Sequence, residues 1–180
     1  MKEFYDLKPI IGEKVILRPI TMEDTPLIVR WRNNPDVRKR FIFQECFTEE
    51  MHKNWMDTKV ATGEVVQYII ELRSTGAPVG SVYLRDIDET NHSAEYGIFI
   101  GENETRGMGV GSETAKLFVK SMFTCLHMHK IYLRVFEDNP QACASYIKAG
   151  FQLEGVSRDM VYLNGEYKNI VFMSVLEGEV

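Results

Sequence analysis

The sequence lacks a CxxC pair, and its three cysteines, Cys46, Cys125 and Cys143, are far apart and odd in number. The four histidines do not join them at metal-ligand spacing. Neither a disulfide framework nor a bound metal is therefore expected, and the cysteines read as free thiols of a reducing compartment. Long apolar runs are missing as well. The opening residues, Met1 to Lys8, hold no uninterrupted apolar stretch, which argues against a secretory signal. Nothing later approaches the ~20 residues of a membrane span. Positive charge is in deficit, since 21 Lys and Arg against 26 Asp and Glu leave a net charge of −5. A protein that neutralises many phosphates carries the opposite sign, so nucleic acid is not an expected partner. The expectation is a cytoplasmic protein without membrane contact. Linkers, repeats and low-complexity stretches are also absent, and residues 1–180 read as one domain large enough for a single core.

What is present is a regular succession of elements. Lys14–Ile20 is a β-branched run closed by Pro19, and Thr21 with Asp24 resembles a capping box before a helix bearing Leu27, Ile28 and Trp31 on one face. Asn33-Asn34-Pro35 stops that helix. Thr48 caps another, with Met51, Trp55, Met56 and Val60 near helical spacing and Gly63 at its end. Residues 65–72, 79–84 and 94–100 are three strands joined by short polar turns, a meander. A glycine-rich loop, Arg106-Gly-Met-Gly-Val-Gly111, precedes a long amphipathic helix over about 112–126, and a strand follows over 130–136. Asn139 and Pro140 supply an N-cap and a first helical residue. Gly150 ends that helix, and Asn164-Gly165 pivots a last hairpin in a type I′ turn.

Strand, glycine loop and helix together make an anion site. The first amides of a helix have no intrahelical acceptor, the helix dipole adds partial positive charge, and glycine removes the Cβ that would block approach. A Walker A loop is excluded, because Gly111 stands where its Lys would be. A dinucleotide fingerprint fits poorly: Ser112 replaces the third glycine, and five residues separate Ile100 from Arg106. The loop alone leaves open a glycine turn with no ligand.

Over a longer span the chain resembles the Gcn5-related N-acetyltransferase (GNAT) superfamily. Arg106-Gly-Met-Gly-Val-Gly111 is similar to that family's Arg/Gln-x-x-Gly-x-Gly/Ala signature. Asn139, Ala142, Tyr146 and Gly150-Phe151 are similar to its second block, and order and spacing agree over about residues 14–176. Leu17-Arg18-Pro19, Trp31-Arg32-Asn33, His92–Tyr96 and His129–Leu133 resemble the branch of ribosomal-protein-alanine, spermidine and amino-sugar acetyltransferases. The resemblance implies an α/β (α+β) fold with a mixed, mostly antiparallel sheet of about seven strands and about four helices. It implies acetyl-CoA as cosubstrate and a small primary amine, a polyamine or amino sugar, as acceptor. A protein N-terminus such as that of a ribosomal protein is the alternative acceptor. A non-catalytic acyl-CoA-binding regulator is the alternative of another class, and a homodimer is compatible with all three.

Residue by residue, the resemblance gives the pyrophosphate of coenzyme A to Arg106, Gly107, Met108, Gly109, Val110, Gly111 and Ser112. The amide of Phe99 or Ile100 would polarise the thioester carbonyl, a contribution of roughly 3 kcal/mol for such a donor. Asn139 would cap its helix and touch the pantetheine arm. Tyr146 would protonate the leaving thiolate, and Arg32 with Asn33 would wall the acceptor site. Glu95 is the expected general base, because it lies on the strand that borders the cleft.

Overall fold

The computed structural model describes residues 7–180 of the chain, so most of the stretch read above for a targeting signal lies outside the described residues. Eight strands form one sheet: β1 (Ile10–Ile11), β2 (Val15–Pro19), β3 (Val66–Leu72), β4 (Pro78–Asp88), β5 (Ser93–Ile100), β6 (Lys130–Phe136), β7 (Gln152–Leu163) and β8 (Glu166–Leu176). Five α-helices accompany them: α1 (Thr25–Asn33), α2 (Pro35–Arg38), α3 (Glu49–Trp55), α4 (Val110–Leu126) and α5 (Pro140–Lys148). The strand order is β1-β2-β3-β4-β5-β6-β8-β7. All neighbours are antiparallel except β5 and β6. The mixed, mostly antiparallel sheet is thus as expected, with one strand and one helix more.

The additions have local causes. Ile10 and Ile11 pair with Leu17 and Ile16 and lengthen the sheet at its edge. Asn34-Pro35 ends α1 but also starts α2: the Asn34 side chain accepts from the Asp36 amide at 2.9 Å, and Pro35 sits at the first helical position. Thr48 caps α3 through the Met51 amide as expected, yet Met51 itself is exposed and His52 is buried in its place. His52 Nδ1 lies 2.9 Å from the Thr25 hydroxyl, which ties α3 to α1. Asp24 accepts from the Thr21 amide at 2.9 Å and from both terminal nitrogens of Arg18, fastening β2 to the start of α1.

The sheet divides two apolar layers. On one face α4 lays Ala115, Phe118, Val119, Met122 and Leu126 against Tyr68, Val82, Tyr96 and Leu133, all buried. Burying a side chain such as Phe118 stabilises the fold by about 1.5–3 kcal/mol. On the other face Trp31, Ile28, Val37 and Met56 pack against Ile69 and Phe99. Alternation along β5 sends Tyr96 to the α4 side and Glu95 and Phe99 to the α1 side.

Candidate active site

The feature that positions everything else is an incomplete strand pair. β5 and β6 are parallel and pair only at Ser93–Lys130, Ala94–Ile131 and Glu95–Tyr132. Beyond that point β5 continues to Ile100 along β4, and β6 continues to Phe136 along β8. The two strands therefore diverge, and the sheet opens into a gap whose walls are main chain.

Which amides face the gap follows from alternation. The Gly101 amide donates to Val79 on β4 at 2.8 Å. Along an extended strand successive amides point to opposite sides. The Phe99 amide is then directed into the ladder with β4, and those of Ile98 and Ile100 point to the gap. This corrects the expectation for Phe99: its amide is used in the sheet, and its ring is buried against Trp31 and Phe41. Ile98, not Phe99, is the partner of Ile100.

At the mouth of the gap lies the glycine loop. Gly107 and Gly109 both have positive φ, +81° and +82°, a conformation that glycine adopts without strain. Gly109 is the N-cap of α4, so the helix begins two residues earlier than expected, at Val110. The first helical bond runs from the Glu113 amide to the Gly109 carbonyl at 3.1 Å. The amides of Val110, Gly111 and Ser112 are left without intrahelical acceptors, at the positive end of a 17-residue helix. A Cβ on Gly107 would meet nothing, and one on Gly111 would only touch Ser145 Oγ at 3.7 Å, so the approach is open. This cradle fits a diphosphate. Arg106 serves it from behind: Nη2 donates to the Ile100 carbonyl at 3.0 Å, which pins the loop to the end of β5. Lys14, which sequence reasoning missed, donates from Nζ to the Met108 carbonyl at 3.0 Å.

α5 carries Tyr146 toward the same gap. Asn139 caps the helix through the Ala142 amide at 3.4 Å, as its sequence position predicts. The Tyr146 ring stands edge-on to Tyr96, with centroids 6.0 Å apart, and 5.8 Å from Phe151. Burial raises the Tyr146 phenol above its ordinary value, and the nearby Tyr83 adds to that. The phenol therefore keeps its proton near neutral pH. The Tyr96 hydroxyl is buried and unpaired.

Tyr83 was not foreseen. It faces Gly97 across the β4–β5 pair, and a Cβ on Gly97 would fall 2.3 Å from Tyr83 Cζ. The missing side chain lets the Tyr83 ring lie across β5, with its hydroxyl among Arg85, Arg32, Glu95 and Arg134, whose charges bear on it. The sequence signal was the register, a tyrosine opposite a glycine in the meander.

Glu95 is the main correction. The residue is 4% exposed, and its carboxylate receives Arg134 Nε and Nη2 at 2.8 and 3.0 Å and Arg85 Nε at 3.1 Å. Burial alone would raise this acid, but the hydrogen bonds from Arg134 and Arg85 outweigh it and hold the group below the ordinary carboxylate range. An anion so stabilised is a poor proton acceptor. Glu95 anchors two arginines. Asn33 is likewise committed: its Nδ2 donates to the Phe47 carbonyl at 2.7 Å and its Oδ1 accepts from the Phe47 amide at 2.8 Å. It shapes the loop after α2, and both ends of its amide are engaged by the Phe47 main chain. Arg32, by contrast, stays available, with its Cζ 3.5 Å from the Phe41 ring centroid.

Comparison with known proteins follows this geometry. Residues 14–152 match the family described as Acetyltransferase (GNAT) domain. The spermidine N(1)-acetyltransferase of Escherichia coli (strain K12) is 30% identical over 167 residues, covering 92% of this chain and 88% of that protein. Among solved structures, spermidine N-acetyltransferase from Vibrio cholerae in complex with CoA and spermine superposes with a TM-score of 0.86 at 24% identity, over 93% of this chain and 98% of that one. The dodecameric structure of the Vibrio cholerae spermidine N-acetyltransferase in an intermediate state has a TM-score of 0.80 at 26% identity, over 93% and 96%.

Proposed function

This chain belongs to the acetyltransferase (GNAT) domain family, and from that premise we propose that it transfers an acetyl group from acetyl-CoA to the primary amine of a small molecule. Acetyl-CoA is the cosubstrate and supplies the activated acyl group. The observation that carries the reading is the opened β5–β6 pair, with free helix amides at one end and Tyr146 across from it. Val110, Gly111 and Ser112 hold the diphosphate through their amides. Ile98 and Ile100 offer main-chain donors to the carbonyl being attacked, and Tyr146 gives its proton to the departing sulfur. Amines of the polyamine and amino-sugar classes are the acceptors considered, and the names of the relatives support the first. A protein N-terminus finds no support in the relative at 30% identity.

The reading takes 1–180 as one acetyltransferase domain working in the cytoplasm. Among the described residues no helix is long and apolar enough to cross a membrane. Strand β7 is an open edge of the sheet, and its hairpin exposes Leu153, Met160, Tyr162 and Tyr167. Such an edge suits self-association into a homodimer or larger ring.

Cosubstrate binding is tested by thermal shift. At 100 times its dissociation constant, acetyl-CoA should stabilise the fold by about 2.7 kcal/mol, which for a domain of this size raises Tm by about 5–10 °C. Gly111→Asp should abolish the shift. A carboxylate in the first turn suits the helix dipole, so the fold survives, but it faces the diphosphate with like charge. An undiminished shift in this variant would remove the helix terminus from the site.

A further inference from the structure

The acceptor side of the gap carries more cation than it can neutralise. Arg32, Arg85 and Arg134 all bear on the Tyr83 hydroxyl, and the buried Glu95 is shared between Arg85 and Arg134 alone. Arg85 also lies 3.8 Å from the exposed Asp86. Among the described residues Arg32 has no carboxylate within ion-pair distance and no hydrogen-bond acceptor, and its Nε is fully buried. Its guanidinium rests on Phe41 and stands 5.1 Å from the Phe47 centroid. Both rings are held in place, Phe41 by Phe99 and Phe47 by the two-ended Asn33 clamp.

Stacking of this kind recovers part of the cost of desolvating a guanidinium, but none of its five N–H donors. Burial lowers the proton affinity of Arg32; Tyr83 opposes that, and the charge of Arg85 adds to it. A planar fork, fixed by two aromatic rings and left without an acceptor, is the arrangement that receives an oxyanion in two parallel hydrogen bonds.

We infer that the acceptor is an amine that also carries an anionic group, a phosphate or a carboxylate, and that Arg32 binds that group while the amine enters the gap. The inference rests on the acetyl-transfer reading and narrows its substrate. Polyamines carry only positive charge and would meet Arg32 with like charge. A phosphorylated or carboxylated amino sugar, or an amino acid, would neutralise it. The reaction itself is unchanged: the amine nitrogen forms the amide bond, the thioester bond breaks, and the amine's proton leaves with the thiol.

The test uses the full chain with acetyl-CoA and matched acceptors that differ in the anion: glucosamine against glucosamine 6-phosphate, an amino acid against its methyl ester, and spermidine as polycation. The anionic member of at least one pair should exceed its neutral partner and spermidine by at least about tenfold in kcat/KM, and which pair responds separates phosphate from carboxylate. Arg32→Met and Arg32→Lys should both erase that preference, chiefly through KM, since Lys keeps the charge but loses the fork. The acetyl-CoA thermal shift reports that each variant is folded. Transfer to spermidine or to the neutral members at equal or better efficiency overturns the inference and leaves acetyl transfer standing. A preference that survives Arg32→Met also overturns it. Transfer to no member at all overturns both.

Discussion

Tyr146→Phe should lower kcat by at least about 10²-fold, with kcat/KM falling equally, while the acetyl-CoA thermal shift stays as in the wild type. A positioned proton donor typically contributes about 10²- to 10⁴-fold. The ring packs against Tyr96 and Phe151 through its faces and edges, and Phe keeps those contacts. Only the hydroxyl goes, and it makes no hydrogen bond among the described residues. A thiolate with a pKa near that of cysteine, ~8.5, can leave unaided into water. Within the poorly hydrated gap the donor lowers the energy of the departing sulfur and prevents its return. Equal losses in kcat and kcat/KM are the signature of an interaction made only in the transition state. Near wild-type turnover in the folded variant would pass the acid role to water or to Tyr83.

Glu95→Gln should cost about 2–3 kcal/mol of stability and leave the acidic limb of the pH–rate profile in place. Breaking a buried ion pair by removing one partner usually costs about 3–5 kcal/mol. A value at or just below that range applies here because Arg134 and Arg85 are 29% and 35% exposed and can rehydrate. The expected fall in Tm is about 4–12 °C. The pH dependence has a definite sign. The folded Glu95 acid lies below its unfolded value of ~4.3, so its stabilisation is complete above that value and is lost as the pH falls through the folded one. Wild type and Glu95→Gln should therefore differ most near neutrality and converge in acid. Asp24, where burial opposes but the Arg18 hydrogen bond prevails, has the same sign and remains in both proteins. Melting curves between pH 3 and 8 check the stability claim. A flattened acidic limb in the variant would restore Glu95 as the base.

Local chemistry that depends on one residue type was legible in the sequence. Asn164-Gly165 takes positive φ at both positions, +52° and +87°, as a type I′ turn requires. The loop glycines, the Asn139 cap and the β6 boundaries stand where composition and spacing put them. What escaped were facts of parity and pairing. Whether an amide of β5 faces β4 or the gap changes with each residue, and a shift of one exchanges Phe99 for Ile98. Glu95 was read from its own strand, but its protonation is decided by Arg85 and Arg134, 10 and 39 residues away. Asn33 is expected at the acceptor wall because the family resemblance places that wall after the first helix. Its partner Phe47 lies 14 residues on, in a loop that periodicity does not describe. The early departure of β5 from β6 has no sequence marker that we recognise.

That departure has an evolutionary consequence. The groups proposed to meet the cosubstrate are amides of Ile98, Ile100, Val110, Gly111 and Ser112, and a main-chain donor persists under almost any substitution except proline. The proposed acceptor side is furnished instead by side chains, Tyr83, Arg85 and Arg134 of the sheet and Arg32 of α1. Single-codon changes there can redirect the enzyme toward a new amine while the acyl donor is retained. Drift and duplication can thus explore acceptors at little risk to the chemistry they share.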